Sequence, residues 1–395
     1  MPSHHPILII GGGSAGITVA ALLRQRPDAP AVTIVEPSDK HWYQPIWTLV
    51  GAGVFDKASS QRDEARLIPP GVGWIRSRVR SIEPDRNQVT LDDGETLTHD
   101  QLVVAAGIQL DWGRIEGLKE TLGKNGVTSN YSYDTVDYTW TLLSGFKGGR
   151  ALFTYPSTLI KCAGAPQKIM WLAEHHFQRT GIRKGCEVVF ASAGAGIFGV
   201  ERYARPLRQL LVERDVKTLF KQDLVKVDGP AKKAWFKDME TGALTEQSFD
   251  LLHVTPHQSA PDFLKQGPLA DAAGWVEVDM YSGQHTRFPN VFSLGDCSSM
   301  PNSKTAAAIR KQAPVIASNL LDQRAGRPLG LRYDGYASCP LVTGYGRLIL
   351  AEFRYGGVPD ETLPVEQDQE RWSTWATKAY ALPALYWHGM LKGRW

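Results

Sequence analysis

The chain has 395 residues, 43% hydrophobic and 22% charged, which is enough apolar chain for about two domains of ordinary size. Its 44 basic and 41 acidic residues nearly balance and form no dense basic run, so we expect no nucleic-acid partner. Four cysteines are too few for a disulfide-stapled secreted fold and lack the Cys-x-x-Cys spacing of a zinc ribbon, so we expect no metal site.

The apolar pattern begins by Ile7, which leaves no room before it for a signal or transit peptide. No stretch reaches the roughly 18 uncharged apolar residues of a transmembrane helix. We therefore expect the protein to remain in the compartment where it is made.

The first motif lies in residues 6–36. The apolar run 7–10 predicts a buried parallel strand, and Gly11, Gly13 and Gly16 complete a Gly-x-Gly-x-x-Gly pattern as a helix opens at about Ser14. In this pattern the first glycine allows a tight turn and the second lets a pyrophosphate approach the backbone N–H groups. The third lets the helix pack closely on the strand.

A second apolar run, 31–35, ends in Glu36. Glu36 follows Gly16 by about 20 residues, where a carboxylate can accept both ribose hydroxyls. Strand, glycines, helix, second strand and acid in this order predict a dinucleotide site. The alternative, a glycine-rich turn in another α/β protein, leaves Glu36 unexplained.

The next segments predict the rest of a flavoprotein domain. An aromatic-rich loop spans 41–53, and alternating runs at 73–82, 88–91 and 96–98 predict a small β-meander. The run 102–107 predicts a buried strand ending in small residues, of the type that returns beside a flavin.

A second Rossmann-like domain is predicted downstream. Strand 149–156 precedes helix 163–177, and strand 186–193 leads into a second glycine pattern, 194–199, and an amphipathic helix. The strand 216–220 that should carry the ribose carboxylate ends at Lys221 instead. The pattern therefore leaves open whether this domain binds a nicotinamide cofactor.

The segment 286–296 indicates FAD. Thr286 is followed by an apolar strand and a terminal Gly-Asp, and a helix is predicted from about Lys304. Asp296 can accept a ribityl hydroxyl, and the helix start can stabilise charge on a reduced flavin. The alternative is an aspartate that only caps a helix.

Together these motifs predict an α/β fold with two Rossmann-like domains, the second inserted into the first. The expected bounds are 1–120 and 259–330 for the FAD domain, 121–258 for the second domain and 331–395 for a C-terminal tail.

The end of the tail, 371–395, is rich in aromatic and long apolar residues. They are Trp372, Trp375, Tyr380, Leu382, Leu385, Tyr386, Trp387, Met390, Leu391 and Trp395. With Lys378, Lys392, Arg394 and a break at Pro383, they predict a short helical pair lying in a membrane interface. A dimer interface is the competing interpretation.

Two cysteines are candidates for chemistry. Cys162 follows Lys161 and precedes a predicted helix, and both the ammonium and the helix dipole favour its thiolate form. Cys339 lies in a loop of the tail beside a proline. For Cys186 and Cys297 we expect buried structural roles.

Several long segments resemble the sulfide:quinone oxidoreductase family of two-dinucleotide flavoproteins. They are HWYQPIWTLVGAG, KCAGAPQKIM, HVTP, ADAAGWVEVD, NVFSLGDCSSMPNSKTAAA, SCPLVTGYGRLILAEF and LYWHGMLKG. The resemblance covers nearly the whole chain.

The resemblance implies an FAD enzyme that oxidises hydrogen sulfide and reduces ubiquinone. Cys162 and Cys339 match the redox-active pair: hydrosulfide opens their disulfide or trisulfide, leaving a persulfide on Cys339 and a thiolate on Cys162 beside the flavin. The outer sulfur then passes to glutathione, sulfite, coenzyme A or sulfide. The family implies peripheral attachment to the cytoplasmic face of a bacterial plasma membrane, or to the matrix face of the inner mitochondrial membrane if a presequence was removed.

The resemblance also implies cofactor contacts. The residues expected to bind FAD, including the remaining glycines of the first motif, are Gly11, Gly12, Gly13, Gly16, Glu36, Gln44, Val79, Asp296 and Lys304. Aromatic character alone suggests Tyr345, Phe353 and Trp387 for the quinone.

Two alternatives remain at this point. A type II NADH:quinone oxidoreductase would use the glycine pattern 194–199 but gives the cysteine pair no task. The second alternative is a flavin-containing scaffold or apoptosis-related binding protein, whose flavin would be reduced neither by sulfide nor by NADH.

Overall fold

The computed structural model describes residues 2–27 and 29–394. The strands in chain order are β1 (Ser3–Ile10), β2 (Val32–Val35), β3 (Lys40–Trp42), β4 (Gln61–Asp63), β5 (Gly73–Ile75), β6 (Val79–Glu83), β7 (Gln88–Leu91), β8 (Thr96–Val104), β9 (Gln109–Leu110), β10 (Val127–Thr128), β11 (Gly149–Tyr155), β12 (Cys186–Ser192), β13 (Lys217–Phe220), β14 (Gln222–Asp228), β15 (Lys233–Asp238), β16 (Leu244–Ser248), β17 (Leu251–His253), β18 (Gln258–Ser259), β19 (Val291–Ser293), β20 (Ala337–Gly344), β21 (Arg347–Arg354) and β22 (Val358–Pro359).

The α-helices are α1 (Ser14–Arg24), α2 (Trp47–Val50), α3 (Leu118–Thr121), α4 (Val136–Gly145), α5 (Ala165–Arg179), α6 (Glu201–Glu213), α7 (Asp262–Lys265), α8 (Ala306–Arg324), α9 (Trp372–Ala376) and α10 (Leu382–His388).

The first sheet joins the two ends of the predicted FAD domain. Its order is β5-β2-β1-β8-β7-β6, and β19, from late in the chain, pairs with β8 in parallel. In β1, Ile7 and Ile9 belong to one hydrophobic core, whereas Leu8 and Ile10 belong to another. Both faces of the strand are therefore covered, which is why its sequence is a continuous apolar run.

Strand β8 unites two strands that the sequence analysis predicted separately. Thr96 pairs with Thr90 of the antiparallel meander, whereas Leu102 pairs in parallel with Val291. One long strand thus serves both the meander and the parallel sheet, and the polar residues between its ends concealed its continuity.

The second sheet is parallel, with order β10-β17-β11-β12-β13, and a three-stranded antiparallel sheet, β14-β15-β16, follows β13. These elements lie between β8 and β19 in the chain, so the insertion of one Rossmann-like unit into another is confirmed. The carboxyl ends of β10, β17 and β11 lie side by side, because these three strands are neighbours.

The C-terminal part forms the sheet β20-β21-β22 followed by one continuous helical run. A π-helical turn, Thr377–Ala381, joins α9 to α10. The predicted break at Pro383 is wrong, because the helical run continues through this proline, with the wider π-helical turn placed directly before it.

Candidate active site

The first glycine loop has the geometry that its pattern predicts. Gly11 has a φ of 103°, and a Cβ there would lie 2.4 Å from the Ala105 carbonyl oxygen. A Cβ on Gly16 would lie 1.9 Å from the Gly11 oxygen, so α1 packs directly on the turn. A Cβ on Gly13 would meet nothing within 4 Å. The loop is therefore tight on its protein side and open at Gly13, where a phosphate can approach.

Glu36 lies at the end of β2 and faces this loop. One carboxylate oxygen accepts from the Gly12 N–H at 2.8 Å, and the other accepts from the Ser38 N–H at 2.8 Å. A Cβ on Gly12 would lie 2.7 Å from the Glu36 Cγ, so Gly12 has no room for a side chain. The ribose contact of Glu36 stays a prediction.

Asp296 and Lys304 follow β19, near Cys162 and its loop. Burial raises the pKa of Asp296, and the charges of Lys304 and Lys161 oppose this rise. The Lys304 ammonium donates to the Ser298 carbonyl at 2.9 Å and lies 4.1 Å from the centre of the Trp275 ring. These buried charges lie beside each other at the amino end of α8, as a flavin site would require.

The other two predicted FAD residues lie apart. The Gln44 side-chain oxygen accepts a hydrogen bond from Lys161 Nζ, close to the cysteine loop. Val79 begins β6 and is buried in the core beneath the meander. The structure thus places Gln44 near the cysteines and Val79 in the core under the first sheet, and their FAD contacts stay predictions.

Cys162 and Cys339 come together although they are far apart in sequence. Cys162 lies two residues before the N-cap of α5, and α5 packs on β20. Cys339 lies in β20, so the expectation that it lies in a loop is wrong. All four cysteines are free in this structure. Each of the two sulfurs shifts the pKa of the other, so they lie close together, as a disulfide between them would require.

The backbone at Cys162 is unusual. Its φ is 51°, in the left-handed region that non-glycine residues seldom adopt. Its N–H donates to the Lys304 carbonyl at 2.8 Å, and its own carbonyl accepts from the Ala165 N–H at 2.7 Å. These two bonds hold Cys162 between the predicted flavin helix and α5, and strained residues of this kind concentrate at functional sites.

Two buried lysines set the charge of Cys162. Lys168, one turn into α5, places Nζ 3.1 Å from the Cys162 sulfur. Lys378, in the π-helical turn, donates to the Pro45 carbonyl at 2.6 Å, and burial together with the charge of Lys168 lowers its pKa to about 7. The hydrogen bond from Cys339, with the charges of both lysines, holds the pKa of the Cys162 thiol well below its usual range.

Cys339 has the opposite character. Its hydrogen bond to Cys162 and its burial raise its pKa well above the usual range. Its sulfur lies 3.4 Å from the Ser303 hydroxyl. In the reduced protein the pair is therefore a thiolate at Cys162 and a thiol at Cys339.

The sequence analysis attributed the thiolate to Lys161, and this attribution is wrong. Lys161 Nζ points to Gln44 and lies 5.5 Å from the centre of the Trp47 ring. The left-handed turn at Cys162 separates the directions of adjacent side chains. Lys168, within the predicted helix, could have been found from its spacing, whereas nothing local to Lys378 indicates its position.

The other two cysteines are buried elsewhere. The Cys186 sulfur donates to the Ile182 carbonyl at 3.3 Å, and the Cys297 sulfur donates to the Val104 carbonyl at 3.5 Å. Burial raises the pKa of both thiols. This environment fits the structural role expected for them.

The second glycine pattern has a different geometry from the first. Helix α6 begins at Glu201, after the glycines instead of among them. The Phe198 ring lies 6.1 Å from that of Phe353, and the Arg202 guanidinium pairs with Glu361 at 2.6 Å. The tail thus brings a carboxylate to the first turn of α6, while a Cβ on Gly196 or Gly199 would meet nothing within 4 Å, so the loop itself is open.

The aromatic end of the tail packs largely against the rest of the protein. Its buried residues are Trp375, Tyr386, Trp387, Met390 and Leu391. The Tyr386 hydroxyl contacts His41 Nε2 at 2.5 Å and Ser14 Oγ at 2.6 Å, which ties α10 to the glycine loop. Trp372, Tyr380 and Leu385 are exposed by 68%, 58% and 37%. Within residues 371–394, these are the large apolar side chains exposed enough to meet a membrane, and Trp395 lies outside the described residues.

The three aromatic residues suggested for the quinone have different neighbours. Tyr345 donates to the Ala52 carbonyl at 2.7 Å, Phe353 packs on Phe198, and Trp387 packs on the His41 ring. Their quinone role stays a prediction. Among the described residues, no helix is both long and apolar enough to cross a bilayer.

The chain resembles known oxidoreductases. Residues 5–137 match the model of the pyridine nucleotide-disulphide oxidoreductase family. Mitochondrial sulfide:quinone oxidoreductase of Mus musculus is 47% identical over 395 residues, which covers 100% of this chain and 88% of the mouse protein. The protein of the same name from Dictyostelium discoideum is 45% identical, covering 98% of this chain and 86% of that protein.

A solved structure shares the fold. The X-ray structure of the sulfide:quinone oxidoreductase from Aquifex aeolicus superposes with a TM-score of 0.81 at 19% identity, and the match covers 99% of this chain and 92% of that one.

Proposed function

The chain belongs to the sulfide:quinone oxidoreductase family, and we propose that Cys162 and Cys339 carry out the sulfur chemistry of this family. The protein is a flavin-dependent oxidoreductase that oxidises sulfide with a quinone as electron acceptor. The observation that supports the cysteine assignment is the asymmetry of the pair, a stabilised thiolate at Cys162 beside a buried thiol at Cys339.

The reaction starts from the Cys162–Cys339 disulfide. Hydrosulfide attacks the Cys339 sulfur, a new sulfur–sulfur bond forms there, and the Cys162 sulfur leaves with the electron pair of the broken bond. An acceptor nucleophile then takes the outer sulfur from the Cys339 persulfide and leaves a thiolate behind. When bound, the flavin accepts two electrons as the disulfide re-forms, and it passes them to the quinone.

The lysines determine the direction of attack. The sulfur of lower pKa is the better leaving group in thiol–disulfide exchange. Because Lys168 and Lys378 stabilise negative charge at Cys162, cleavage that releases the Cys162 thiolate is favoured. The persulfide therefore forms on Cys339, which is the more enclosed sulfur and is shielded from loss to water.

FAD is the flavin that fits these residues. The open backbone at Gly13 suits a pyrophosphate, and Glu36 lies beside it for an adenosine ribose. Asp296 and Lys304 supply an acid and a cation near Cys162, where the flavin ring belongs. A flavin mononucleotide would leave the adenosine end of this site without a ligand.

An NADH-dependent activity has less support. Helix α6 begins after the glycines instead of among them, and Glu361 brings a carboxylate to its first turn, where a pyrophosphate would need positive charge. Lys221 follows β13 and pairs with Glu240 at 2.5 Å instead of supplying a ribose acceptor.

The deciding experiment compares two electron donors. Air-oxidised, flavin-loaded protein is mixed without oxygen with sulfide or with NADH, flavin absorbance is followed, and a soluble ubiquinone analogue is then added. We expect sulfide to bleach the flavin and the quinone to restore it. Bleaching by NADH but not by sulfide would reject the proposal, and no bleaching by either donor would favour a non-enzymatic flavoprotein.

The sulfur acceptor requires a separate assay. Sulfide, sulfite, glutathione and coenzyme A are offered together, and the sulfur products are identified by mass spectrometry. We propose that the membrane contact is peripheral and uses Trp372, Tyr380 and Leu385, with ubiquinone drawn from that surface.

A further inference from the structure

Two buried hydroxyls in the second domain are unexplained by the chemistry described above. Tyr131 is 4% exposed and Thr255 is 1% exposed. The two hydroxyls lie close to each other, and within residues 2–27 and 29–394 neither makes a well-formed hydrogen bond. An unsatisfied buried hydroxyl costs free energy, so such groups are retained where a ligand can satisfy them.

Both hydroxyls come from the carboxyl edge of the second parallel sheet. Tyr131 follows β10, Thr255 follows the adjacent β17, and Tyr155 ends β11, the next strand. The Thr255 backbone is fixed there by a hydrogen bond from its N–H to the Thr154 hydroxyl at 3.0 Å. In open α/β sheets, ligands bind outside this edge.

This edge faces the cysteine pair. Lys161, the residue before Cys162, places its ammonium 5.6 Å from the centre of the Tyr131 ring. Burial and negative charge at Cys162 raise the pKa of Tyr131, with the neighbouring Thr255 hydroxyl acting against this rise. Burial, together with negative charge at Cys339 and Cys162, raises the pKa of Tyr155 to about 12. The tyrosines therefore stay protonated, and their hydroxyls can donate.

We propose that the Tyr131 and Thr255 hydroxyls bind the incoming hydrosulfide anion by donating hydrogen bonds to its sulfur, and so place it for attack on the disulfide. The inference rests on the proposed function. An anion as small as hydrosulfide suits the space, because both hydroxyls and Cys339 are enclosed. Hydrogen bonds to an anion are stronger than those between neutral groups, so two of them select hydrosulfide over neutral H₂S.

Substitutions that remove only the hydroxyls test this assignment. Tyr131→Phe and Thr255→Val are mixed with sulfide in the flavin-loaded, air-oxidised form, and the rate of flavin reduction is measured against sulfide concentration. We expect the half-saturating sulfide concentration to rise about tenfold in each variant. Flavin reduction by dithionite and reoxidation by the ubiquinone analogue stay at wild-type rates.

The matched control is Tyr138→Phe. Its hydroxyl also lies in the second domain, but it already accepts from the Gly126 N–H at 3.3 Å, and its loss leaves the sulfide dependence unchanged. Wild-type sulfide dependence in both test variants overturns the inference, as does an equal slowing with dithionite. A wild-type flavin that sulfide does not reduce instead rejects the proposed function.

Discussion

At the scale of single residues, the cysteines differ in what surrounds them. Cys162 and Cys339 share a hydrogen bond and two lysine charges, whereas Cys186 and Cys297 lie in apolar surroundings that raise their pKa values. Spacing along the chain does not show which of the four cysteines are reactive. Their environments show it, because thiolate character depends on nearby charge and burial.

We expect Cys162→Ser and Cys339→Ser each to lower sulfide oxidation by more than about a thousandfold, because the pair acts as a unit. Cys186→Ser and Cys297→Ser are the controls and retain most of the activity, since neither thiol contacts the pair. Sulfide-dependent reduction of the ubiquinone analogue measures both sets. Substantial turnover by either of the first two variants contradicts the assignment.

A pH titration distinguishes Lys168 from Lys161. Removing the Lys168 charge destabilises the Cys162 thiolate, so in Lys168→Met the pKa of Cys162 rises and the thiolate forms only at higher pH. Lys161→Met is the matched control, because Lys161 Nζ bonds to Gln44 and not to the sulfur. The ultraviolet absorbance of the thiolate in reduced protein, with Cys162→Ser as blank, measures the titration. Equal shifts in both lysine variants would show that Lys161 also acts on the thiolate.

At the scale of elements, the glycine loop combines two separate demands. Gly16 serves the fold, because α1 could not lie on the turn after β1 if this residue carried a side chain. Gly13 caps α1 with an ordinary φ of −72° and faces open space. One motif therefore contains a residue required for packing and a residue required for the ligand.

Two alanine substitutions separate these demands. Gly16→Ala forces the helix and turn apart and is expected to destabilise the apoprotein by about 1–3 kcal/mol. Gly13→Ala leaves apoprotein stability unchanged but weakens FAD binding by about tenfold or more, because its Cβ occupies the space for the pyrophosphate. Chemical denaturation and fluorescence titration with FAD provide the two readouts. Wild-type FAD affinity in Gly13→Ala would contradict the predicted position of the pyrophosphate.

The C-terminal helical run also has two roles. Its inner face carries Lys378 towards Cys162 and Tyr386 towards the glycine loop. Deleting the whole run would therefore damage the cysteine site and the flavin domain together. Substitutions at its exposed residues are the cleaner test of membrane attachment.

We expect the combined variant Trp372→Ser, Tyr380→Ser and Leu385→Ser to bind lipid vesicles at least about tenfold more weakly, because three apolar anchors are lost. Its flavin reduction by sulfide stays normal. Val212→Ser with Leu244→Ser, which alters exposed apolar residues of the second domain, is the control. Vesicle binding is measured by co-sedimentation, and the molecular mass of the protein in solution is measured by analytical ultracentrifugation. Unchanged vesicle binding with a change from dimer to monomer would favour the dimer interface.

At the scale of the whole molecule, the cysteine site forms where three parts of the chain meet. The second domain supplies Cys162 and the unpartnered hydroxyls, the β20 sheet supplies Cys339, and the C-terminal run supplies Lys378. The predicted flavin helix touches the same place through the Lys304 carbonyl. Oxidation of a small anion and delivery of its electrons can thus occur in one enclosed space, because every part contributes a side chain or a backbone group to it.

The sequence by itself determined the two Rossmann-like units, the glycine loop with Glu36, and the cysteine pair. The first two depend on short spacings within one βαβ unit, which local sterics dictate, and the pair was reached through long motifs that resemble a family. Tertiary structure alone decided that Lys161 points away from Cys162 and Lys378 towards it, that the tail aromatics are mostly buried, and that Glu361 of the tail pairs with the first turn of α6. These features depend on a left-handed backbone turn and on packing between distant segments, and neither leaves a periodic signal in the chain.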